Sequence, residues 1–557
     1  MRRSFGFVAI VVALIAAPGA DAARYKVKVK RDAHGVPTIT AKNFPSVAYG
    51  YAKTIAEDNV CVLADTYVTV RGERSRYFGG DAGYEFRGNG TKANNRNSDF
   101  FYKKIIAQRT IEKLRSQPPP LGPVPAIKRA VRGYVAGYNA FLRKGTITDP
   151  ACKDAEWVKP ISVIDVYRRF YQLALLASAG VSIDGIGGAA PVAGRAADSA
   201  TATQRRTLDH LTPGSFDELM GGIGSNAIAL GKAGTQSGNG MLLGNPHFPW
   251  DGSERFYQSH LVIPGKVNVQ GGSLYGVPLV LIGNTRNMAW SHTVSTARRF
   301  TPYQVAPAPG DPHSYIVDGK VEAMTPTTVT IDVKQPDGSI TQESRTLYDT
   351  RWGPMLTSIL GLPIFPWTPV AAFSLGDANA ANFRYLNHFF FTNQAQSVKQ
   401  LDRIERKYEG IPWVNTIAAD STGTAYYADI GAMPNVSNEK IAACNVTVGT
   451  VVDAALRVQV LDGGRSACAW DTDPDAVAPG IFGPSHMPSL FRDDYVTNSN
   501  DSYWLSNPEQ PLEGFSRVIG DERTARALRT RLGLRIVQQR LDGSDGLPGR
   551  GFTLKQL

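Results

Sequence analysis

The chain has 557 residues, of which 43% are apolar and 20% are charged, and its formal net charge is +11. This composition is typical of a globular protein and excludes a collagen-like, disordered or polytopic membrane chain; the length allows three or four domains. The positive charge is spread along the sequence without a Lys/Arg-rich tract, which favours a solvated basic surface over a nucleic-acid site.

The N-terminus predicts export. Residues 1–23 combine a charged start at Arg2 and Arg3, an apolar stretch over residues 5–17 and an A-x-A site at residues 20–22, as in a secretory signal peptide. No later segment is apolar enough to predict a membrane span. We therefore expect a periplasmic or secreted protein.

Because an exported protein meets an oxidising environment, the four cysteines of the chain are candidates for disulfide bonds. Four cysteines allow three pairings, and their spacing contains no CxxC motif for zinc. We favour the pairing that keeps each bond within one half of the chain, with free buried thiols as the alternative. The expected bonds are Cys61–Cys152 and Cys444–Cys468.

The predicted secondary structure changes from mainly helical to mainly β-strand along the chain. A strand alternates over residues 25–30, and apolar spacings of three and four predict helices over residues 105–114, 126–142 and 163–179. Residues 180–224 are rich in Gly, Ala, Ser and Thr, and residues 189–203 predict a mobile linker. From residue 225 onward strands dominate, with helices expected at residues 397–407 and 521–539. The expected strands are 226–231, 241–244, 266–270, 277–282, 288–294, 327–333, 340–348 and 425–429.

Common catalytic motifs are missing from the sequence. It contains no G-x-S-x-G, H-E-x-x-H or phosphate-binding G-x-x-x-x-G-K-[ST] motif, and its eight histidines are scattered, so we expect no metal site.

The junction between the glycine-rich segment and the first apolar strand offers a different chemistry. Attack of the Ser225 hydroxyl on the Gly224 carbonyl would exchange an amide for an ester and leave Ser225 as a new N-terminus. The alternative is a plain glycine-rich turn.

Two runs carry a family resemblance. Gly224-Ser225-Asn226 and the later Gly244-Asn245-Pro246-His247-Phe248 resemble the penicillin acylase family of N-terminal-nucleophile (Ntn) hydrolases, closest to its acyl-homoserine-lactone acylase and aculeacin acylase branch. Further matching stretches extend from residue 31 to the last residue. They include residues 255–258, 289–294, 410–415 and 498–505.

The resemblance implies an α+β fold, the four-layer αββα Ntn-hydrolase sandwich, with a helix-rich α chain. It also implies a self-cleaving precursor that yields an α/β heterodimer. The expected segments are the signal peptide (1–23), the α chain (24–200), a spacer (201–224) and the β chain (225–557). The family's β chain normally continues further, so we expect this one to be truncated at its C-terminus.

The resemblance also assigns roles in the site. Ser225 is the nucleophile, and its freed α-amino group, with an ordinary pKa of about 7.7–8.0, is the base. The oxyanion donors are the backbone N–H of Val294 and the side-chain amide of Asn500, with Asn498 as the competing candidate. His247 orients the amine, its alternative being a core histidine. Arg523 supports the asparagine, with Arg526 as a substitute and a surface arginine as the alternative.

Three aromatic residues match the family's acyl-chain pocket: Phe248, Phe389 and Trp413, which could equally be ordinary core residues. The calcium-binding carboxylates of one family branch have no counterpart at residues 295–301, so neither a metal nor another cofactor is expected. The function expected is a self-processing amidase that hydrolyses N-acyl-homoserine lactones, as in quorum quenching, or similar fatty-acyl amides. The alternatives are a β-lactam acylase that prefers aliphatic side chains and an unprocessed, inactive exported remnant.

Overall fold

A computed structural model describes residues 24–86, 91–212 and 224–557. The expected signal peptide and residues 213–223 of the expected spacer lie outside the described residues. The α-helices are α1 (Phe44–Arg71), α2 (Arg74–Phe78), α3 (Asn95–Ala107), α4 (Thr110–Ser116), α5 (Pro125–Lys144), α6 (Val163–Ala174), α7 (Ile183–Gly187), α8 (Arg195–Asp209), α9 (Arg384–Thr392), α10 (Val398–Tyr408), α11 (Asn438–Cys444), α12 (Thr447–Leu456) and α13 (Leu528–Asp542).

The strands concentrate after residue 224, as the sequence predicts. They are β1 (Val27–Arg31), β2 (Pro37–Ala41), β3 (Gly83–Phe86), β4 (Thr91–Asn94), β5 (Gly224–Leu230), β6 (Met241–His247), β7 (Phe256–Ile263), β8 (Val267–Leu274), β9 (Ile282–Asn284), β10 (Met288–Val294), β11 (Phe300–Ala308), β12 (Asp311–Val317), β13 (Lys320–Ala323), β14 (Thr325–Lys334), β15 (Ile340–Thr350), β16 (Gly353–Pro354), β17 (Ala372–Asp377), β18 (Val414–Asp420), β19 (Ala425–Ala428), β20 (Leu461–Asp462), β21 (Ser489–Arg492) and β22 (Tyr495–Asn498).

Two stacked sheets form the centre of the molecule. A nine-stranded sheet has the order β1-β2-β7-β8-β9-β10-β18-β19-β21, and a three-stranded sheet has the order β22-β5-β6. Strands β5 and β6 pack on β10 and β18, while β22 packs on β19. Every residue of β18 is buried because both of its faces are covered.

Helices cover the outer face of each sheet. Helix α1 packs on β1, β2 and β7, and α13 packs on β22. The layers therefore run helix, sheet, sheet, helix, which confirms the expected αββα architecture. Smaller sheets, β13-β12-β11-β17 and β14-β15-β16, extend from this core.

The helical layer depends on close packing between α1 and α5. Asn43 caps α1 by accepting a hydrogen bond from the Ser46 N–H at 3.0 Å. A Cβ at Gly133 or Gly137 would lie only 2.0 or 2.2 Å from the carbonyl oxygens of Pro45 or Tyr49. Glycine at these two positions therefore lets the helix backbones touch.

Both expected disulfides are present. Cys61–Cys152 ties α1 to the loop after α5, with 5.4 Å between the Cα atoms, and Cys444–Cys468 joins its partners at 5.6 Å. These Cα separations lie in the ordinary range for a disulfide. The pairing chosen from sequence is confirmed.

The sequence was a poorer guide after residue 189. The prediction of a mobile linker over 189–203 is wrong from residue 195 on, where α8 begins. Alanine, arginine and glutamine favour a helix without an apolar stripe, and periodicity alone misses such a segment. The Gln204 side chain donates to the Ile364 carbonyl oxygen at 2.9 Å, and Leu208 packs on the main core.

Within the three described ranges, no single helix has the length and apolar character needed to cross a membrane. The segments Val163–Ala174 and Ala179–Gly187 reach that length only as a pair bent by 86°.

Candidate active site

Ser225 lies at the start of β5, the central strand of the smaller sheet, and is 1% exposed. Its hydroxyl donates to the carbonyl oxygen of Gly224 at 2.6 Å. The backbone N–H of His247 approaches the same hydroxyl oxygen at 3.4 Å. The hydroxyl is therefore held beside the carbonyl of the preceding peptide bond.

Gly224 and His247 face each other at the end of the β5–β6 ladder. A Cβ at Gly224 would lie 3.3 Å from each of three atoms: Nδ1 of His247, Oδ1 of Asn500 and a guanidinium nitrogen of Arg529. Polar groups thus surround the peptide bond between Gly224 and Ser225. Any larger residue in place of Gly224 would crowd them.

Asn500 connects Ser225 with Val294. Its Oδ1 accepts a hydrogen bond from the Ser225 N–H, and its Nδ2 donates to the Val294 carbonyl oxygen at 3.1 Å. An amide NH₂ carries two hydrogens, so this bond leaves a second N–H. Asn500 has a φ of 59°, a left-handed conformation that asparagine tolerates better than most residues.

Asn498 is the second asparagine considered from sequence. Its Oδ1 accepts hydrogen bonds from the Thr293 hydroxyl at 2.6 Å and from the Asn500 N–H at 2.8 Å, and its Nδ2 donates to the Asp501 carbonyl oxygen at 2.9 Å. Asn498 is buried. Its side chain shapes the turn that presents Asn500, whereas Asn500 itself contacts Ser225.

The arginine at the site is one that the sequence reasoning missed. Arg523 pairs with Glu513 at 2.6 Å and its side chain is 76% exposed, so it does not reach Asn500. Arg526 pairs with Asp501 at 2.8 Å. Arg529 instead donates to the Ser225 carbonyl oxygen at 2.6 Å and to Asn500 Oδ1 at 3.1 Å.

Arg529 rather than Arg523 reaches the site because the last helix begins later in the chain than the sequence predicts. The sequence predicts a helix from residue 521, but α13 begins at Leu528. Asp501 fixes this start, because its carboxylate accepts from the Ala527 N–H at 3.1 Å as well as from Arg526. Arg529 therefore lies in the first turn of α13, beside Asn226, whose side-chain oxygen it also contacts at 2.8 Å. No local sequence pattern marks this helix start, so the sequence did not single out Arg529.

The three predicted aromatic residues lie around one apolar cavity of about 50 Å³. Phe248 stacks on Trp413 with ring centroids 6.0 Å apart, and the Trp413 indole N–H donates to the Leu173 carbonyl oxygen at 2.8 Å. Phe389 and Val294 also line the cavity. The cavity therefore adjoins the residue that Asn500 contacts.

The segment after Val294 is fixed by a buried ion pair. Arg299 pairs with Asp429 at 2.8 Å, and the Ser295 hydroxyl donates to the same carboxylate at 2.6 Å. Burial raises the pKa of Asp429, and the Arg299 charge opposes that rise. Across the described ranges, no group of three or more His, Cys, Asp or Glu side chains could hold a metal ion.

Comparison with known proteins shows which family the chain resembles. The penicillin amidase family description matches residues 26–554. Aculeacin-A acylase of Actinoplanes utahensis is 44% identical over 556 residues, which cover 98% of this chain and 68% of the relative. Acyl-homoserine lactone acylase PvdQ of Pseudomonas savastanoi pv. phaseolicola is 39% identical, over 95% of this chain and 66% of the relative.

The chain thus spans about two thirds of the length of these curated relatives. Among solved structures, the orthorhombic form of thermostable penicillin G acylase from Alcaligenes faecalis is similar with a TM-score of 0.42 and 17% identity, covering 59% of this chain and 50% of that one. The family match over almost the whole sequence and the 44% identity to one relative show that the chain belongs to the penicillin amidase family of amide-bond hydrolases.

Proposed function

We propose that this protein is a self-processing amidase that hydrolyses N-acyl-homoserine lactones, or similar fatty-acyl amides, with Ser225 as an N-terminal nucleophile. The observation that carries the proposal is the contact of the Ser225 hydroxyl with the Gly224 carbonyl, 2.6 Å apart, beside Asn500 and an apolar cavity. A weak hydroxyl nucleophile, a polar cradle and an apolar slot are the parts that acyl transfer to serine needs.

Maturation comes first in this proposal. The Ser225 hydroxyl oxygen attacks the Gly224 carbonyl carbon, the C–N bond breaks, and the Ser225 nitrogen takes up a proton to become an amine. Water then hydrolyses the resulting ester, which releases the Gly224 carboxylate and restores the hydroxyl. Residues 24–200 and 225–557 form the α and β chains of a heterodimer, and residues 201–224 form the spacer. The proposed boundary between residues 200 and 201 falls within α8.

Turnover then uses the new amine. The amine accepts the hydroxyl proton while the oxygen attacks the acyl carbonyl of the substrate. The remaining N–H of Asn500 and the backbone N–H of Val294 stabilise the oxyanion, and one such donor contributes about 3–4 kcal/mol. The amine product leaves with a proton, and water releases the acyl group from Ser225. His247 and Arg529 hold the amine and the Asn500 side chain in place.

The acyl group would occupy the cavity lined by Phe248, Phe389 and Trp413. Aromatic walls suit an apolar chain, and no charged side chain is among the lining residues. The two disulfides fit a protein that matures in an oxidising compartment, so we further propose export to the periplasm or beyond.

Intact-mass measurement and N-terminal sequencing of the purified protein test the maturation step. We expect two chains, the second beginning with Ser225. Ser225→Ala should remain one uncut chain, and cleavage that persists in this variant would refute the self-processing mechanism. Ser339→Ala, which alters an exposed serine in the turn between β14 and β15, serves as the control and should be processed normally.

A matched substrate panel tests the activity. Long-chain acyl-homoserine lactones should be hydrolysed faster than penicillins with aliphatic side chains. The opposite ranking would establish a β-lactam acylase instead. A single intact chain without activity would identify an unprocessed remnant and would refute the whole proposal.

A further inference from the structure

The acyl cavity contains one polar side chain whose role is unassigned. His292 lies on β10, two residues before Val294, and both residues line the cavity. Alternate residues of a strand point to the same face, so the two side chains lie about 7 Å apart along the strand. His292 is 6% exposed, and its Nε2 has no hydrogen-bond partner among the described residues.

The other ring nitrogen fixes the tautomer of His292. Nδ1 lies 2.9 Å from the carbonyl oxygen of Asn415, which can only accept a hydrogen bond. Nδ1 therefore carries the hydrogen. Burial lowers the pKa of His292 to about 4, so the ring is neutral at neutral pH. Nε2 is consequently a bare acceptor.

Among the described residues, no donor lies within hydrogen-bonding distance of this acceptor. The nearby Leu281 backbone offers a carbonyl oxygen, which already accepts the Trp290 indole N–H at 2.7 Å. His292 and the buried His388 both pack edge-on against Phe389, and burial lowers the pKa of His388 to about 3. A buried acceptor without a partner is costly, and a ligand that donates a hydrogen bond removes the cost.

We propose that His292 selects acyl chains that carry a hydroxyl group, which donates its O–H to Nε2. This inference rests on the proposed amidase function and specifies its substrate class. An oxo group at the same carbon is only an acceptor and would face the Nε2 lone pair. We therefore expect kcat/KM to be highest for hydroxyacyl chains, lower for unsubstituted chains and lowest for oxoacyl chains.

The test compares acyl-homoserine lactones of one chain length that are unsubstituted, hydroxylated at successive carbons from C3 onward, or oxo-substituted at the same carbons. With the mature enzyme, kcat/KM for the best hydroxyl position should exceed that of the unsubstituted chain about threefold to tenfold, the range for one net hydrogen bond. Equal values at every hydroxyl position, or a preference for the oxo form, would overturn the inference. If no acyl-homoserine lactone is hydrolysed, the proposed function fails as well.

Two variants at His292 separate hydrogen bonding from shape. His292→Phe should bring the hydroxyacyl-to-unsubstituted ratio to about one. His292→Gln, whose amide both donates and accepts, should keep the hydroxyl preference and relieve the disadvantage of the oxo chain. His388→Phe replaces a buried histidine that is not among the cavity's lining residues, and it should retain the wild-type ratio. A ratio unchanged in His292→Phe would contradict the proposal.

Discussion

Removing the Arg529 guanidinium should impair turnover, although Arg529 was not among the residues predicted from sequence. Arg529→Ala deletes hydrogen bonds to the Ser225 carbonyl oxygen, the Asn226 side chain and Asn500 Oδ1, at 2.6, 2.8 and 3.1 Å. Each charge-assisted bond contributes about 1.5–3 kcal/mol when shielded, but Arg529 is exposed, so water replaces part of the loss. We expect a net cost of about 1.5 kcal/mol, or roughly a tenfold fall in kcat/KM.

The assay is steady-state hydrolysis of a long-chain acyl-homoserine lactone by mature protein, with N-terminal sequencing to confirm that each variant is processed. Arg523→Ala is the matched control, because the exposed Arg523 pairs with Glu513 at the surface, and its loss should change kcat/KM by less than about twofold. If Arg523→Ala is the more damaging variant, our assignment of the arginine is wrong. A thermal melt separates lost positioning from lost folding.

Three further predictions concern the oxyanion, the disulfides and a buried acid. Asn500→Asp keeps the acceptor for the Ser225 nitrogen and loses the donor, so processing should persist while kcat falls about 10²–10³-fold; near-normal kcat would exclude Asn500 as a donor. Replacing both cysteines of Cys61–Cys152 should lower the free energy of unfolding by about 4–5 kcal/mol, against about 3–4 for Cys444–Cys468, because their sequence separations are 91 and 24; denaturant titration measures both. Burial raises the pKa of Glu405 to about 8, so its contribution to stability is full below its ordinary pKa and is lost as the pH rises through about 8. Glu405→Gln should flatten the fall in Tm between pH 5 and 9, and an unchanged slope would contradict this.

The sequence predicted the parts of the molecule that depend on local pattern or on quoted motifs. The change from helices to strands near residue 225, the αββα layers and both disulfides agree with the structure. The runs around Ser225 and His247 mark residues that the structure brings within hydrogen-bonding distance. The change from helices to strands is predictable because strand alternation is encoded over short stretches, whereas the αββα layers follow from the family resemblance and the disulfides from keeping each bond within one half of the chain.

The missed features depend on contacts between distant segments. Arg529 reaches Ser225 only because Asp501 fixes the start of α13, and no local pattern encodes that contact. Helix α8 lacks an apolar stripe, so periodicity failed there and composition was misleading. The His292 acceptor becomes visible only when Asn415 on a neighbouring strand fixes its tautomer.

The place of Ser225 in the smaller sheet has a consequence for the amine that cleavage would create. Strand β5 pairs with β6 along its whole length and with β22 from Ala227 to Leu230. A new N-terminus at Ser225 would remain paired with β6, and pairing with β22 would begin two residues further along, whereas most chain ends fray. The amine and the hydroxyl of one residue would thus start each reaction already aligned, with little orientational entropy left to lose.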